Sequence, residues 1–238
     1  MKRILLITGA SSDVGMSLLR KIAADYDVIY MQYRTMSDSL RELTDSIAGE
    51  VVLIQADLTR DEEIEKITEQ MAQRGEWPTH FVHLPAPKAY NKHFHKDFVD
   101  NFDLGWRVCV RSAVILLQKM LPQMSRNHYG RILIMLTAYT IGEPPKFQSS
   151  YVTVKYALLG LIRSLAVEYE EKGITVNGIS PEMIETKFLS EIPELIVEQN
   201  AARQKNGRNL TPVEVAEAMI PLLEDENSVN GGNLEIRA

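Results

Sequence analysis

Short apolar runs alternate with longer amphipathic segments along nearly the whole chain. Runs that are apolar at consecutive positions predict strands buried on both faces, as in a parallel sheet. Apolar residues spaced three and four positions apart predict helices between them. The predicted strands are Ile4–Ile7, Val28–Gln32, Val51–Gln55, His80–Leu84, Arg131–Leu136, Thr175–Ile179 and Leu234–Ile236. The predicted helices are Val14–Ala24, Ser37–Ala48, Glu62–Arg74, Phe102–Arg126, Tyr151–Lys172, Lys187–Arg203 and Pro212–Glu224.

This alternation determines the expected fold class. Repeated strand–helix units indicate parallel strands joined by right-handed crossovers, with helices on both faces of the sheet. No linker, repeat or low-complexity tract divides the sequence, so residues 1–238 are expected to form one doubly wound α/β domain of about seven strands. Ligands of such sheets bind beyond the carboxyl ends of the strands, so residues that directly follow a strand are the functional candidates.

Composition narrows the classes of function. The chain has 238 residues, 45% hydrophobic and 24% charged, which is ordinary for a soluble globular protein. A net charge of −6 without any block of Lys or Arg argues against nucleic-acid binding. The apolar runs are too short to span a bilayer, so no membrane partner is expected. The single cysteine, Cys109, excludes an internal disulfide. We expect a cytoplasmic enzyme or binding domain.

Small residues follow the first predicted strand in the stretch TGASSDVG, which ends at Gly15. Gly9 permits a tight turn and Gly15 permits close packing of helix on strand, so backbone N–H groups at the helix start can bind a pyrophosphate. Such loops also occur for geometric reasons alone. Asp13 stands where phosphates would come closest. We expect its side chain to cap the helix and to point away from a bound ligand.

Tyr151 and Lys155 lie four residues apart and therefore on one face of a helix. A nearby ammonium favours the phenolate, which predicts a tyrosine pKa below its usual value of about 10. Such a phenol can donate a proton to a forming alkoxide or take one from an alcohol. The same spacing is common on solvent-exposed helix faces, so the pair acquires significance only from its context.

Three motifs supply that context. TGASSDVG follows the first strand, YVTVK opens the long helix after the fifth strand, and VNGISPEMIET lies at the sixth strand. Together they resemble the short-chain dehydrogenase/reductase family, most closely the branch that contains the 3-oxoacyl-carrier-protein reductases, from Arg3 to about Ile236. The resemblance implies a single-domain Rossmann fold, a nicotinamide cofactor, and a small-molecule or carrier-bound carbonyl substrate. It does not identify that substrate.

The resemblance also implies residue roles. Tyr151 would donate or accept the proton, and Lys155 would hold the ribose hydroxyls and lower the tyrosine pKa. The other residues expected at the cofactor are Gly9, Ser11, Ser12, Asp13 and Val14 at the phosphates, Asp57 and Leu58 at the adenine, Leu84, Pro85 and Ala86 after the fourth strand, and Pro181, Ile184 and Thr186 at the nicotinamide. Asp57 has an alternative role as a turn cap before Thr59.

The end of the second strand is expected to select the cofactor. An acidic residue there pairs with a free ribose 2′-hydroxyl, whereas an arginine accommodates a 2′-phosphate. The chain has Tyr33 and Arg34 at this place, and the nearest following acid is Asp38. This favours NADP(H) over NAD(H), although an exposed arginine also occurs without such a role.

The sequence departs from the family pattern at several further positions. His83-Leu84-Pro85-Ala86 replaces Asn-Asn-Ala-Gly, and Pro85 removes an N–H donor. Cys109 replaces the asparagine that supports a proton-relay water, and a thiol is a weak hydrogen-bond partner. The substrate-orienting serine falls on Thr137 when counted from Gly130 and on Ala138 when counted back from Tyr151. Thr137 could supply the hydroxyl; Ser149 and Ser150 are weaker substitutes.

Histidines raise the possibility of a metal site, above all His93 and His95. No carboxylate or cysteine cluster completes a recognised ligand spacing, and Lys88, Lys92 and Lys96 would repel a cation, so no metal is expected. This basic loop is instead a candidate rim of the crevice that meets an acidic group of the substrate. The simpler interpretation is that these histidines lie on the surface and have no functional role.

The leading hypothesis is an NADPH-dependent carbonyl reductase of the 3-oxoacyl type, in which hydride passes to a ketone, Tyr151 protonates the oxygen and Thr137 orients it. Phe147, Met183 and the segment Phe188–Val197 would shape the substrate side, the last as a mobile lid. One alternative is a non-catalytic or weakly active relative that binds nucleotide or serves in assembly or sensing. Another is an alcohol dehydrogenase or an epimerase-like enzyme. The resemblance implies a homo-oligomer, a tetramer or otherwise a dimer.

Overall fold

The computed structural model describes residues 1–87, 91–186 and 194–238. Seven parallel strands form one sheet in the order β3-β2-β1-β4-β5-β6-β7. Their bounds are β1 Ile4–Thr8, β2 Val28–Tyr33, β3 Glu50–Gln55, β4 His80–His83, β5 Gly130–Met135, β6 Ile174–Pro181 and β7 Asn233–Ile236. All seven predicted strands are present, and the predicted α/β class is confirmed.

Helices cover both faces of this sheet, and each face has its own apolar core. The α-helices are α1 Asp13–Ile22, α2 Asp38–Ser46, α3 Asp61–Arg74, α4 Val99–Gly105, α5 Ser112–Asn127, α6 Ser149–Glu168, α7 Glu194–Arg203 and α8 Pro212–Met219. The central strands are buried along their whole length, as the uninterrupted apolar runs predicted.

The predicted helix over Phe102–Arg126 is present as uninterrupted helical backbone, but the π-helical turn inside it was not predicted. That stretch begins in α4, passes through a π-helical turn at Trp106–Arg111 and continues as α5. The spacing of apolar residues cannot distinguish a regular α-helix from one that contains a single π turn. Such a turn rotates the residues that follow it about the helix axis by only part of a turn. The predicted helix Lys187–Arg203 is observed over Glu194–Arg203, and residues 187–193 lie outside the described residues.

Helix α6 is the one helix among the described residues whose length and hydropathy would allow it to cross a membrane. Its apolar positions Leu158, Ile162 and Ala166 belong to the core on one face of the sheet. A core helix of a globular α/β protein has the same length and composition. The hydropathy of α6 is therefore explained by its packing on the sheet.

The strand order reverses between β1 and β4, which are neighbours in the sheet but not in the chain. At such a switch point the loops after the two strands lead to opposite faces and leave a crevice at the carboxyl ends. The loop after β1 is TGASSDVG, and the loop after β4 is Leu84-Pro85-Ala86. The fold therefore brings the predicted phosphate loop to the edge where a ligand would bind.

Two buried histidines occupy the ends of β4, and they make the protein sensitive to acid. Burial lowers the pKa of His80 and of His83 to about 3 in each case, whereas the ordinary value is about 6.5. Between these values the unfolded chain binds protons that the folded chain does not. The free energy of unfolding is therefore expected to fall as the pH drops below about 6.5, by up to about 1.4 kcal/mol per pH unit for each histidine.

Urea unfolding between pH 7 and pH 5 measures this effect, because carboxylates titrate mostly below that window. The variant His80→Gln is expected to show a shallower loss of stability with falling pH. Replacing the exposed His128 with Gln is the control and is expected to leave the slope unchanged. An identical slope in the wild type and the His80→Gln variant would contradict the assignment.

Candidate active site

The loop after β1 depends on two glycines. Gly9 has φ +71°, a left-handed conformation that favours glycine. A Cβ on Gly15 would lie 2.9 Å from the Gly9 carbonyl oxygen and 3.0 Å from that of Ala10. Gly15 is thus required for the first turn of α1 to approach the loop. The amide groups of that turn then lie at the switch point, where a phosphate can be bound.

A buried glutamine that sequence reasoning missed supports the loop. The Gln32 side chain accepts a hydrogen bond from the Gly9 amide at 2.9 Å and donates to the Ala56 carbonyl at 2.7 Å. Gln32 thereby connects the loops after β1 and β3 through the end of β2. The available signal was one polar residue inside the otherwise apolar run at β2, and its full burial requires hydrogen-bond partners.

The expectation that Asp13 caps α1 is wrong. The N-cap is Ser12, whose hydroxyl accepts a hydrogen bond from the Gly15 amide at 3.1 Å. Asp13 is the first helical residue, where a carboxylate still interacts favourably with the helix dipole. Its side chain borders an open cavity of about 540 Å³ together with Arg20, Glu185 and Thr186. The carboxylate therefore lies beside a residue that the resemblance assigns to the cofactor.

We expect Asp13→Asn to bind NADPH about two to ten times more tightly than the wild type. A like charge near the phosphates opposes binding by about 1 kcal/mol in a solvated setting, which corresponds to roughly fivefold in affinity. The lost dipole interaction costs the helix about 0.3–1 kcal/mol. Fluorescence titration measures the affinity. Asp25→Asn, at the other end of the same helical segment, is the control with the same change in net charge. An affinity that is unchanged or weaker in Asp13→Asn would contradict this expectation.

Tyr151 and Thr137 lie together at the carboxyl end of β5. Tyr151 is in the first turn of α6, and Thr137 follows the last residue of β5 by two positions. Burial raises the pKa of the Tyr151 phenol above its ordinary value of about 10, and a hydrogen bond with the Thr137 side chain opposes this rise. Of the two positions left open by counting, the structure brings Thr137 to the phenol, and Ala138 begins a short 3-10 turn.

Lys155 is buried, with 1% of its surface exposed. Its ammonium donates to the Met135 carbonyl at 2.8 Å and lies 5.7 Å from the centre of the Tyr151 ring. The expectation that Lys155 lowers the pKa of Tyr151 is wrong for this structure, because burial dominates and raises that pKa. Burial also lowers the pKa of Lys155 itself. The phenol is therefore protonated at neutral pH, as a proton donor must be.

The residues predicted for the adenosine half differ in exposure. Tyr33 is buried at the end of β2, and Arg34 is exposed directly after it. Asp57 accepts hydrogen bonds from the amide and the hydroxyl of Thr59 at 2.9 and 2.8 Å, which is the turn-capping alternative. Partial burial raises the pKa of the Asp57 carboxyl, but the hydrogen bonds from Thr59 lower it more. The nearby charge of Arg34 lowers it as well, so the pKa lies below its ordinary value. Leu58 packs in the core.

The remaining predicted cofactor residues lie around the same crevice. Pro181 ends β6, and Ile184 pairs with Leu210 in a parallel bridge that holds the segment before Thr186. Leu84 and Val14 are buried in the core on one side of the sheet, so only their backbone can reach a ligand. Among the other predicted residues, Ser11 and Pro85 are partly exposed and Ala86 is exposed.

Residues 91–98 and Phe147 form an aromatic and basic rim, which is the surface expected to face the substrate. The Lys92 amide donates to the Phe147 carbonyl at 2.9 Å, and the His93 and Phe147 rings are 4.3 Å apart. Phe94 and Phe98 are exposed at 72% and 63%. Phe147 lies two residues before α6, the helix that carries Tyr151. Lys88 and most of the expected lid, including Phe188, lie outside the described residues.

Metal binding finds no support in the part of the chain that the structure describes. Within residues 1–87, 91–186 and 194–238, no group of three or more His, Cys, Asp or Glu residues is arranged to hold an ion. His80 and His83 use both ring nitrogens in hydrogen bonds inside the fold. A buried neutral histidine with both nitrogens engaged is a structural element, and these two belong to the sheet.

These observations fit a dinucleotide across the switch point. The glycine loop presents helix N–H groups at the end of β1, as a pyrophosphate requires. The buried Lys155 and Tyr151 lie at the end of β5, two strands away in the sheet, where the reactive end would lie. The fold and this arrangement together define a class, the Rossmann-type NAD(P)-dependent oxidoreductases.

Comparison with known proteins identifies the family. A family model described as enoyl-(acyl carrier protein) reductase matches residues 15–236. The chain belongs to this family of short-chain dehydrogenases/reductases and is an NAD(P)-dependent short-chain oxidoreductase.

Two curated relatives extend over most of the chain. D-beta-hydroxybutyrate dehydrogenase of Rhizobium meliloti is 28% identical over 200 residues, which cover 82% of this chain and 76% of the relative. 2-(R)-hydroxypropyl-CoM dehydrogenase of Xanthobacter autotrophicus is 29% identical and covers 98% of this chain and 96% of the relative.

Solved structures show the same fold. Levodione reductase superimposes with a TM-score of 0.89 at 24% identity and covers 99% of this chain and 96% of that chain. ElxO with NADP bound superimposes with a TM-score of 0.87 at 20% identity over 99% of this chain and 97% of that chain. At this level of identity the likeness establishes the architecture.

Proposed function

We propose that this chain is an NADPH-dependent carbonyl reductase in which Tyr151 donates the proton to a ketone oxygen. The observation that carries the proposal is the convergence of three side chains at the end of β5. Thr137 lies close enough to the Tyr151 phenol to oppose the rise of its pKa, and the buried Lys155 ammonium lies 5.7 Å from the ring centre. A chain that had kept only the scaffold would have no need to bury a lysine beside a tyrosine, because burying an ammonium is costly.

Bound NADPH would supply the hydride. The Tyr151 hydroxyl, protonated at neutral pH, donates its proton to the ketone oxygen as negative charge develops there. The Thr137 hydroxyl donates a hydrogen bond to the same oxygen and keeps it within reach of the phenol. The Lys155 ammonium would hold the ribose hydroxyls of the nucleotide and so position the nicotinamide beside the phenol. Proton transfer of this kind contributes roughly a hundredfold to ten-thousandfold in rate.

We further propose that the substrate carries an acidic group, as a keto acid or a carrier-bound 3-oxoacyl group does. The rim after β4 supports this, because residues 91–98 contain Lys92, His93, His95 and Lys96 against the single acid Asp97. The relative named for D-beta-hydroxybutyrate acts on a hydroxy acid. The rim also presents Phe94, Phe98 and Phe147 for an apolar part of the substrate.

The proposal is tested with purified protein, NADPH and acetoacetate as a small keto acid, with an uncharged diketone for comparison. Oxidation of NADPH that depends on the ketone, together with a thermal shift on NADPH binding, is expected. Reduction of the uncharged diketone alone would contradict the acidic-substrate proposal. A thermal shift without turnover would favour the sensing alternative, and no shift with NADPH or NADH would favour an assembly role.

Arg34→Ala is expected to weaken NADPH binding by about tenfold to a hundredfold and to change NADH binding by less than threefold. Loss of an exposed arginine–phosphate contact is expected to cost about 1.5–3 kcal/mol, the range for hydrogen bonds to charged groups, and this corresponds to about tenfold to a hundredfold in affinity. Thermal shift and fluorescence titration with both nucleotides measure the preference. Arg126→Ala, an exposed arginine at the end of α5, is the control. Equal losses for both nucleotides would remove Arg34 as the selector.

A further inference from the structure

The helix beside the site is interrupted where it passes the strand ends. The π-helical turn Trp106–Arg111 joins α4 to α5, and the Ser112 amide donates to the Arg107 carbonyl five residues earlier. π-Helical turns are rare, occur mostly as single turns within α-helices, and are frequent at functional sites. A turn of this kind requires side chains that compensate for its poorer backbone hydrogen bonding.

Two side chains bind carbonyl groups of this turn. The Ser112 hydroxyl donates to the Val108 carbonyl at 2.6 Å. The Nε2 atom of His83 lies 2.9 Å from the Cys109 carbonyl oxygen, which can only accept, so Nε2 carries the proton. Nδ1 of the same ring, 2.8 Å from the Thr8 hydroxyl, then accepts from it. His83 thus connects the end of β1 to the π turn as a neutral ring.

The π turn packs against α6, the helix that carries Tyr151 and Lys155, and its Cys109 shares an apolar core with Val154 of that helix. Burial, with a smaller contribution from the Lys155 charge, lowers the pKa of His83 to about 3, and the hydrogen bond with the Cys109 carbonyl opposes this fall. Burial raises the pKa of the Cys109 thiol, and Lys155 opposes this rise. Besides burial, the proximity of Cys109 contributes to the raised pKa of Tyr151. The turn and His83 therefore form the immediate surroundings of Lys155 and Tyr151, and the neutral ring adds no second cation there.

We infer that His83 is a positioning residue for ketone reduction: by binding the Cys109 carbonyl and the Thr8 hydroxyl, it holds the π turn in place behind Lys155 and Tyr151. This inference rests on the proposed function. Without the ring the turn can relax toward an α-helix, which rotates Cys109 about the helix axis. Reacting groups must be held within about half an ångström of their productive geometry. The chemical step is therefore expected to suffer more than cofactor binding.

The same strand provides a matched control. His80, three residues earlier at the other end of β4, is fully buried, with Nδ1 2.8 Å from the Thr79 hydroxyl and Nε2 3.1 Å from the Leu223 carbonyl. His80 and His83 share residue type, strand and burial, and each ring lies between a threonine hydroxyl and a backbone carbonyl. Nε2 of His80 has one further neighbour, the Tyr129 hydroxyl at 3.1 Å. Only His83 lies at the carboxyl end of the sheet. If His83 had only a structural role, replacing His83 or His80 would be expected to lower kcat by the same factor.

The first test compares His83→Leu with His80→Leu in the full chain, using NADPH and a reducible ketone. We expect kcat to fall at least tenfold in His83→Leu with the NADPH dissociation constant changed less than threefold. His80→Leu is expected to keep kcat within twofold per folded molecule. His83→Gln, whose amide can still donate to the Cys109 carbonyl, is expected to recover most of the loss. Equal losses of kcat in the two leucine variants, or no recovery in His83→Gln, would overturn the inference.

A second test does not depend on turnover. Nitrogen-15 spectra of the ring are expected to show His83 as the neutral Nε2–H tautomer from pH 5 to pH 8. Hydrogen exchange of amides 106–112 is expected to be at least tenfold faster in His83→Leu than in His80→Leu. A charged ring, the other tautomer, or unchanged exchange would overturn the His83 inference. A wild type that meets both expectations but reduces no ketone would instead contradict the proposed function, and the catalytic role of His83 with it.

Discussion

Replacing Tyr151 with phenylalanine is expected to abolish ketone reduction, with kcat falling by at least a hundredfold, while NADPH binding is retained. The phenol is the proposed proton donor at the end of β5, and Thr137 lies near its hydroxyl. Removing that oxygen leaves ring packing unchanged but removes the general acid, which contributes roughly a hundredfold to ten-thousandfold. Steady-state oxidation of NADPH measures the loss, and the thermal shift with NADPH measures binding.

Tyr156→Phe is the matched control for this variant. Tyr156 lies on the same helix, α6, but is 45% exposed, whereas Lys155 beside it is buried. It is expected to keep kcat within twofold of the wild type. Unchanged turnover in Tyr151→Phe would remove Tyr151 as the proton donor. Loss of the NADPH thermal shift in Tyr151→Phe would show that the change had disturbed binding and not the chemical step alone.

Replacing Lys155 with methionine is expected to reduce kcat at least a hundredfold and to leave the protein as stable as the wild type or more stable. The buried ammonium pays an effective desolvation penalty of several kcal/mol. Losing its hydrogen bond to the Met135 carbonyl costs only about 1–3 kcal/mol. The balance therefore favours methionine, which has nearly the same length. A residue that destabilises the fold and is nevertheless buried at this site is best explained by its chemistry.

The pH dependence of stability gives this prediction a second readout. The pKa of Lys155 is lowered in the folded state from about 10.5, so wild-type stability rises with pH between that lowered value and 10.5. The advantage of Lys155→Met over the wild type is therefore expected to be largest at neutral pH and to shrink toward pH 10.5. Urea unfolding measures it. Lys172→Met, the same change at an exposed lysine, is expected to alter neither kcat nor this pH dependence. A strongly destabilised Lys155→Met would contradict the account.

The sheet was predictable because its signal is local and strong. Strands such as β1 and β2 are apolar at almost every position, which is typical of strands buried on both faces. Helix ends were also accessible where capping residues are present, as at Thr211 and Glu214, which form a capping box at α8. The π turn at Trp106–Arg111 could not be predicted from the sequence. Its carbonyl groups are bound by His83 and Ser112, and the contact with His83 forms only in the folded chain.

The membership of the candidate site stays a prediction, and its electrostatics could not be foreseen. The order of Gly9, Tyr151 and Lys155 along the chain predicted a crevice at the carboxyl ends of the strands, and the structure places these residues after β1 and β5. The sequence could not show that burial, which depends on all the packed neighbours, raises the pKa of Tyr151 against the expected influence of Lys155. Nor could it show that Ser12 rather than Asp13 caps α1, because adjacent residues are equally plausible caps until the backbone is known. The expected homo-oligomer stays a prediction.

Transfer of deuterium from 4-deuterated NADPH to a ketone tests the central claim most directly, because it follows the transferred hydride itself. Mass spectrometry of the alcohol is expected to find one deuterium on the carbinol carbon when the nucleotide is labelled on one face, none when it is labelled on the other, and no alcohol with Tyr151→Phe. Protein that binds the labelled nucleotide but yields no deuterated alcohol from either the keto acid or the diketone would contradict the account.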